Sequence, residues 1–281
     1  MSESITAIVY SYKNKNLPRV ISDLVANTES DISIYVYDQH QIDRSKLFEH
    51  DCVIYNHVFW DYQISPIQYK SEIMGGSKAE YFLIMSDEII TSKGWDIKLI
   101  NFLKNKKAVI SGTGKTKLVH KDKYFIGYNK EVSSDFELTQ FSDKNFIFGK
   151  RDHLNSFMYP EHLKFYGEDE YFSISFWRAG IDIYSVPSGF YTMLNENTIL
   201  TKYVPFSKEH NYDKAIDLML DLYDSGKFYR TSQQWLDFHN LDRNSINKLP
   251  YQNNDVLYDP NRLEFQDIDA RKFISNTKAV Y

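Results

Sequence analysis

The first half of the chain alternates short apolar runs with segments whose apolar residues recur at helical spacing. Five runs predict buried strands, namely Ile5–Tyr10, Ile32–Tyr37, Cys52–Tyr55, Tyr81–Met85 and Ala108–Ser111. Between them the pattern predicts helices over Leu17–Ala26, from Ser65-Pro66 to about Gly75-Gly76, and over Trp95–Leu103. Strands that alternate with helices predict a largely parallel sheet with helices on its faces.

The second half is patterned differently and suggests two domains. Residues 120–149 indicate strands and loops, and they are followed by a predicted helix over Gly167–Ala179 and a strand over Ile181–Val186. Beyond about Asn195 the predicted elements are helices, at Asp213–Tyr223 and Ser232–Phe238. We therefore expect a catalytic domain over residues 1–195 and a small, mostly helical extension over residues 196–281.

Composition narrows the class of protein. Hydrophobic residues make up 42% and charged residues 25% of 281 residues, which is typical of a globular chain. A single cysteine excludes an internal disulfide and favours a reducing compartment. The N-terminus lacks the basic and apolar regions of a signal peptide, and no apolar run is long enough to cross a bilayer. We expect a cytoplasmic protein, in the host cytoplasm if it is viral, with no membrane partner.

The strand Tyr81–Met85 ends in polar residues that could carry chemistry. Ser86, Asp87 and Glu88 follow it directly, and ligands of parallel sheets gather at the carboxyl ends of the strands. Carboxylate oxygens bind hard divalent cations, which can neutralise the phosphates of a nucleotide. Acidic residues are also common in ordinary turns, so this pattern alone leaves both interpretations open.

A second acidic group, Gly167-Glu168-Asp169-Glu170, opens the predicted helix Gly167–Ala179. Carboxylates in a first turn stabilise the helix dipole, which is a purely structural explanation. The functional alternative is a catalytic base or a carboxylate that orients an acceptor.

Two other classes of site are excluded by spacing. Ser111-Gly112-Thr113-Gly114-Lys115-Thr116 resembles a phosphate-binding P-loop, but that motif needs a glycine where the chain has Val109 and a helix where it reads as extended. The eight histidines and the one cysteine show no zinc-type spacing.

Read together, the segments resemble the cytoplasmic N-acetylglucosaminyltransferases that modify hydroxyproline, with their bacterial and viral relatives. The resemblance runs in order from about residue 5 to residue 242. It is carried by Ser11-Tyr12-Lys13-Asn14, Leu17-Pro18-Arg19, Asp38-Gln39, Ser86-Asp87-Glu88, Gly94-Trp95-Asp96, Phe165-Tyr166-Gly167-Glu168-Asp169, Trp177 to Pro187, Arg230-Thr231-Ser232 and Asn240-Leu241-Asp242.

The resemblance implies a GT-A type, Rossmann-like α/β fold with a mixed sheet flanked by helices. It also implies a nucleotide-sugar donor such as a UDP-sugar, a divalent cation (Mn²⁺ or Mg²⁺) and transfer with retention of anomeric configuration. Asp87 and Glu88 are the implied metal ligands, and Glu168 and Asp169 the implied catalytic residues. The implied nucleotide-sugar-binding residues are Ser11, Tyr12, Lys13, Asp38, Gln39, Lys70, Ser86 and Asp87.

The chain departs from the family pattern at the metal motif. Ser86 replaces the family's first metal-binding aspartate, and Glu88 replaces its histidine. A later metal-binding histidine, expected near Tyr191-Thr192, is missing, and the family's arginine before the metal strand is replaced near Tyr69-Lys70. A non-catalytic module that binds a nucleotide sugar is therefore the alternative to an enzyme.

The acceptor has two candidates. Protein hydroxyls follow from the resemblance, whereas a hydroxymethylated base in phage DNA is the second candidate. The net charge of −5 argues mildly against DNA, because proteins that make broad phosphate contacts are usually basic.

Overall fold

The computed structural model describes residues 3–11, 15–39, 42–58, 69–112, 115–121, 124–131, 133–142, 145–154, 168–194 and 229–239. Its strands are β1 (Ser4–Ser11), β2 (Asp31–Asp38), β3 (Val53–His57), β4 (Tyr81–Ser86), β5 (Ile89–Thr91), β6 (Ala108–Ser111), β7 (Lys115–Lys121), β8 (Tyr124–Glu131), β9 (Glu137–Leu138), β10 (Phe146–Lys150), β11 (Asp182–Ser185) and β12 (Tyr191–Met193). Its helices are α1 (Leu17–Asn27), α2 (Tyr69–Gly76), α3 (Trp95–Leu103), α4 (Arg151–Leu154), α5 (Glu168–Arg178) and α6 (Ser232–Phe238). The predicted helix over Asp213–Tyr223 lies outside the described residues.

An eight-stranded mixed sheet organises the described chain, in the order β3-β2-β1-β4-β10-β6-β11-β9. Strands β3, β2, β1 and β4 are parallel neighbours, and β6 pairs with β11 in the same direction. Strand β10 runs antiparallel between β4 and β6. The predicted Rossmann-like α/β fold with a mixed sheet flanked by helices is confirmed.

Helices cover both faces of this sheet. Successive side chains of a strand point to opposite faces, and the central strands carry apolar residues on both. On one face α1 and α3 pack against β1 and β4 through residues such as Leu24, Trp95 and Leu83. On the other face α2 and α5 pack through residues such as Ile73 and Phe176. Both faces of the central strands are apolar because both are covered by helices.

The segment Gly94-Trp95-Asp96 has a structural role in the fold. Asp96 is completely buried, and its carboxylate accepts hydrogen bonds from the backbone N–H groups of Glu29 and Ser30 at 2.7–3.2 Å. The indole of Trp95 donates to the hydroxyl of Thr28 at 3.0 Å. These bonds join the start of α3 to the turn between α1 and β2.

A tight turn makes α5 antiparallel to β11. Gly180, at φ 67°, donates its N–H to the carbonyl of Trp177, and Ile181 donates to that of Phe176. A positive φ of this size favours glycine after a helix. Because β11 begins two residues later, the amino end of α5 lies at the edge of the sheet where β11 ends.

Residues 229–239 pack into the same core as the first half of the chain. Trp235 of α6 is 1% exposed and belongs to the cluster that contains Phe176 and Ile183. The boundary expected at residue 195 stays a prediction, but this part of the expected extension shares a core with the sheet.

His239, which follows α6, makes stability depend on pH. Burial lowers the pKa of its imidazole from 6.5 to about 4. An unfolded chain takes up this proton near pH 6.5 and the folded chain only near pH 4, so the unfolded state gains stability as the pH falls between these values. We expect the free energy of unfolding to fall by about 3 kcal/mol over this range through His239.

Chemical denaturation at pH 7.5, 5.5 and 4.5 measures this dependence. The His239→Gln variant cannot take up the proton, so its loss of stability over the same range should be smaller than that of the wild type. Equal losses in the two proteins would contradict the assignment to His239.

The structure bears out the predicted direction of most strands. Six of the eight strands of this sheet run in the same direction, and the other two, β9 and β10, lie in the segment 120–149 that was expected to form strands and loops. The residues after Gly112 form the hairpin β7–β8 and no helix, which agrees with the exclusion of a P-loop. None of the described helices is long and apolar enough to cross a membrane.

Candidate active site

Buried polar residues collect at one edge of the sheet, where the parallel strands have their carboxyl ends. Those that the sequence singled out are Ser11, Asp38, Gln39, Ser86, Asp87 and Glu88. The edge is continuous, since the Gln39 N–H donates to the Ser11 carbonyl at 2.9 Å and the Ser86 N–H to the Asn145 carbonyl at 2.9 Å. The fold therefore brings together side chains that lie up to 77 positions apart in sequence, from residue 11 to residue 88.

The acidic pair follows the central strand β4. Asp87 is 6% and Glu88 5% exposed. Carboxylates are among the groups that proteins bury least often, because desolvation of the charge is costly. Two consecutive buried carboxylates at a strand end are therefore unusual for an ordinary turn.

Two buried hydroxyls lie on strand ends beside this pair. Tyr10 pairs with Ser86 across β1 and β4, so Ser11 is the next residue along the edge. Neither the Ser11 nor the Ser86 hydroxyl has a hydrogen-bond partner among the described residues. A buried hydroxyl gains about 1 kcal/mol from a partner, so each offers an unused hydrogen-bonding group at the edge.

A small two-stranded antiparallel sheet brings the segment 191–194 against the acidic pair. Strand β12 pairs with β5, and the Leu194 N–H donates to the Glu88 carbonyl at 2.8 Å. Tyr191 and Thr192, near which the sequence comparison expected a histidine, therefore lie close in space to Asp87 and Glu88.

Asp38 is the centre of a cluster of short hydrogen bonds at this edge of the sheet. Its fully buried carboxylate accepts two hydrogen bonds of 2.7 Å from the Arg44 guanidinium and a third of 2.7 Å from the Tyr55 hydroxyl. Burial and the neighbouring carboxylate raise the pKa of Tyr55 to about 12, so its hydroxyl stays protonated and donates. With these three bonds Asp38 fixes the loop after β2, and a direct contact with a nucleotide stays a prediction.

Arg44 and Tyr55 were not singled out by sequence reasoning. Arg44 lies six residues beyond Asp38 in a polar loop, where charged residues are common and carry no signal. Tyr55 reaches Asp38 because β2 and β3 pair in register, with Tyr37 beside Asn56. Only that long-range pairing shows which hydroxyl meets the carboxylate.

Glu168 and Asp169 form the first turn of α5. Since α5 runs antiparallel to β11, and β11 is parallel to β6, this turn lies at the same edge of the sheet as the carboxyl ends of β1 and β4. Lys70 lies in the first turn of α2. Tyr12 and Lys13 are outside the described residues.

The donor atoms at the edge suit a hard cation, because they are carboxylate and hydroxyl oxygens. In the described part of the chain no group of three or more acidic, histidine or cysteine residues is placed to hold a metal. Mg²⁺ is commonly bound through one or two carboxylates together with phosphates of the substrate. Asp87 and Glu88 fit that mode of binding.

The chain is similar to known proteins in structure but matches none of the sequence families compared. No family model matches the chain, and no curated protein matches it. Among solved structures, the chain is similar to the crystal structure of S. aureus TarS, with a TM-score of 0.44 and 14% identity. The match covers 66% of this chain and 36% of that one, so this chain spans about a third of its length.

Proposed function

We propose that the protein is a glycosyltransferase that moves a sugar from a nucleotide-sugar donor, such as a UDP-sugar, to an acceptor hydroxyl. The observation that carries this proposal is the buried pair Asp87 and Glu88 at the carboxyl end of β4, at the same edge as the acidic first turn of α5. In the proposed reaction, one group of ligands holds the diphosphate and a second acidic group acts on the sugar or the acceptor. The pair after β4 and the first turn of α5 are the candidates for these two roles, and their position at the same edge of the sheet supports the proposal.

In the proposed site, Glu88 and Asp87 hold Mn²⁺ or Mg²⁺ on the donor diphosphate. When bound, the cation neutralises the negative charge that develops on the leaving nucleotide. Ser11, Ser86 and Gln39 contribute hydrogen-bonding groups along the strand ends, and Tyr12, Lys13 and Lys70 complete the donor site. Asp38 supports this edge through Arg44 and Tyr55.

We propose that Glu168 or Asp169 acts on the acceptor hydroxyl or on the transferred sugar. A carboxylate there can orient the acceptor hydroxyl or stabilise positive charge on the sugar as its bond to the nucleotide breaks. We infer retention of configuration from the family resemblance, and the acceptor is a protein hydroxyl or a hydroxymethylated base in DNA.

The rival proposal is a module that binds a nucleotide sugar without turnover. It is favoured by Ser86, which supplies a hydroxyl where the family has a metal-binding aspartate. The two proposals agree on the donor site and differ in whether the nucleotide is released.

Nucleotide release from a panel of nucleotide sugars is the first test of the proposed function. We expect slow release from one donor in the presence of Mn²⁺ or Mg²⁺, with water taking the place of the acceptor, and loss of release when a chelator is added. Peptides with hydroxylated side chains and duplex DNA with hydroxymethylated cytosine should then be compared, and one of them should accelerate release. Donor binding with no release in the presence of either acceptor would favour the binding module, and neither binding nor release would overturn both proposals.

A further inference from the structure

Residues 229–239, which we call the C-terminal clasp, hold the carboxyl end of α5. The indole of Trp177 donates to the Thr231 carbonyl at 2.9 Å, and the Tyr229 N–H donates to the Arg178 carbonyl at 3.1 Å. The last turn of a helix has carbonyls without partners inside the helix. The clasp therefore supplies a bond that α5 cannot make for itself, at the end remote from the candidate active site.

A buried segment beneath α5 anchors the clasp from the other side. The Gln140 carbonyl accepts a hydrogen bond from the indole of Trp235 at 3.0 Å, and Gln140 has a φ of 52°. Non-glycine residues rarely adopt such a φ, and it persists where the surroundings fix it. The Gln140 side chain supplies that fixation, since it donates to Asp182 at 2.7 Å and accepts from the Ile183 N–H at 3.2 Å.

Arg230 connects the contact between the clasp and α5 with the contact between the clasp and Gln140. Its guanidinium lies 2.8 Å from the same Asp182 oxygen that accepts from Gln140, and it stacks 4.6 Å from the ring centre of Trp177. The side chain of Arg230 is 28% exposed, so it can be changed without opening the core. Through this one side chain the clasp touches the start of β11 and the last turn of α5.

The length of α5 means that a small tilt at its carboxyl end would displace its amino end. The helix has 11 residues, and at a rise of about 1.5 Å per residue it spans about 16 Å. A tilt of about 10° at its carboxyl end would move its first turn by about 3 Å over that length. A displacement of about 1 Å at a reacting group can cost roughly 100-fold in rate.

We propose that the C-terminal clasp sets the orientation of α5, and with it the position of Glu168 and Asp169, so that Arg230 is a positioning residue for the reaction. This inference rests on the proposed function, because it concerns the rate of glycosyl transfer. It assigns a role in the active site to a segment that lies more than 50 residues beyond the helix it orients, from Arg178 to Arg230.

The Arg230→Ala variant tests the inference in the full-length protein. We expect kcat for nucleotide release to fall by about 10-fold or more, while the dissociation constant of the donor changes less than about twofold, because donor binding is assigned to β1, β2 and β4. Hydrogen exchange of the amides of Phe172 to Arg178 should accelerate. Arg19→Ala is the control, because Arg19 pairs with Asp23 on the exposed surface of α1, and it should behave as the wild type.

The outcomes separate this inference from the proposed function. Absence of release and of donor binding in the wild type would refute the proposed function itself. A wild type that releases nucleotide, with an Arg230→Ala variant of equal kcat, would overturn only the positioning role. Equal exchange rates of α5 in the two proteins would do the same, and Arg230→Lys, which keeps the charge opposite Asp182, should recover part of the lost rate if the role is correct.

Discussion

Replacement of Glu88 by glutamine is expected to reduce metal-dependent nucleotide release by at least about 100-fold. The substitution keeps the size of a side chain that is 5% exposed, so the fold should be retained. It removes a negative charge from the pair that is proposed to hold the cation, and the cation contributes several kcal/mol to stabilising the charge that develops on the leaving nucleotide. A loss of about 3 kcal/mol corresponds to the stated factor.

The rate should be measured across a titration of Mn²⁺, because a weakened cation site also needs more metal for half-maximal rate. Glu80→Gln is a matched control, since Glu80 precedes the same strand at its opposite end and is exposed. Its rate and metal requirement should equal those of the wild type. If Glu88→Gln releases nucleotide as fast as the wild type at every metal concentration, the cation is not held by Glu88.

Elements with strong local signals were predicted almost residue by residue. The helices Trp95–Leu103 and Ser232–Phe238 and the strand Ala108–Ser111 have the predicted bounds. In α3 the apolar residues recur at helical spacing and Gly94 precedes the first turn, so the information is contained within about ten residues. The same holds for β4, whose six residues are all buried and which ends at the polar Ser86.

Strand β10 shows what local patterns leave out. Phe146, Ile147 and Phe148 are all buried, because the strand lies in the middle of the sheet with a helix-covered face on either side. Its direction is set by its pairing with Leu83 of β4 and Ile110 of β6, residues distant in sequence. Strands were expected in the segment 120–149, but the position and direction of this strand in the sheet follow only from its neighbours.

The candidate site also has one part that local sequence patterns predict and another that depends on long-range strand pairing. Ser86, Asp87 and Glu88 were found because a buried strand and an acidic turn are adjacent in sequence. The two-stranded β5–β12 sheet beside them joins residues about 100 positions apart, from Thr91 to Tyr191, and no local sequence pattern predicts this pairing. Polar residues at strand ends can thus be predicted, whereas the groups that surround them depend on the order of strands.

The Asp38→Ala variant is expected to lose about 3–5 kcal/mol of unfolding free energy, the cost of breaking a buried ion pair. It leaves the Arg44 guanidinium, only 10% exposed, without its carboxylate, and it leaves the Tyr55 hydroxyl without its acceptor. Asp23→Ala is the control, because the Arg19–Asp23 pair is 67% and 36% exposed, and such surface pairs contribute at most about 1 kcal/mol. Chemical denaturation at pH 7.5 measures both variants.

Measurements of stability and of donor affinity together distinguish two possible roles of the Asp38 carboxylate. The Asp38→Asn variant keeps an acceptor oxygen and loses the charge. If the carboxylate supports the loop through Arg44 and Tyr55, this variant should be destabilised less than Asp38→Ala. Its affinity for the donor should then fall only as far as the fold is weakened. If the carboxylate instead leaves Arg44 to meet the nucleotide, Asp38→Asn should reduce donor affinity at almost unchanged stability. The three bonds of 2.7 Å that occupy the carboxylate favour the first result, because a ligand would have to replace bonds to a charged group, each of which contributes about 1.5–3 kcal/mol.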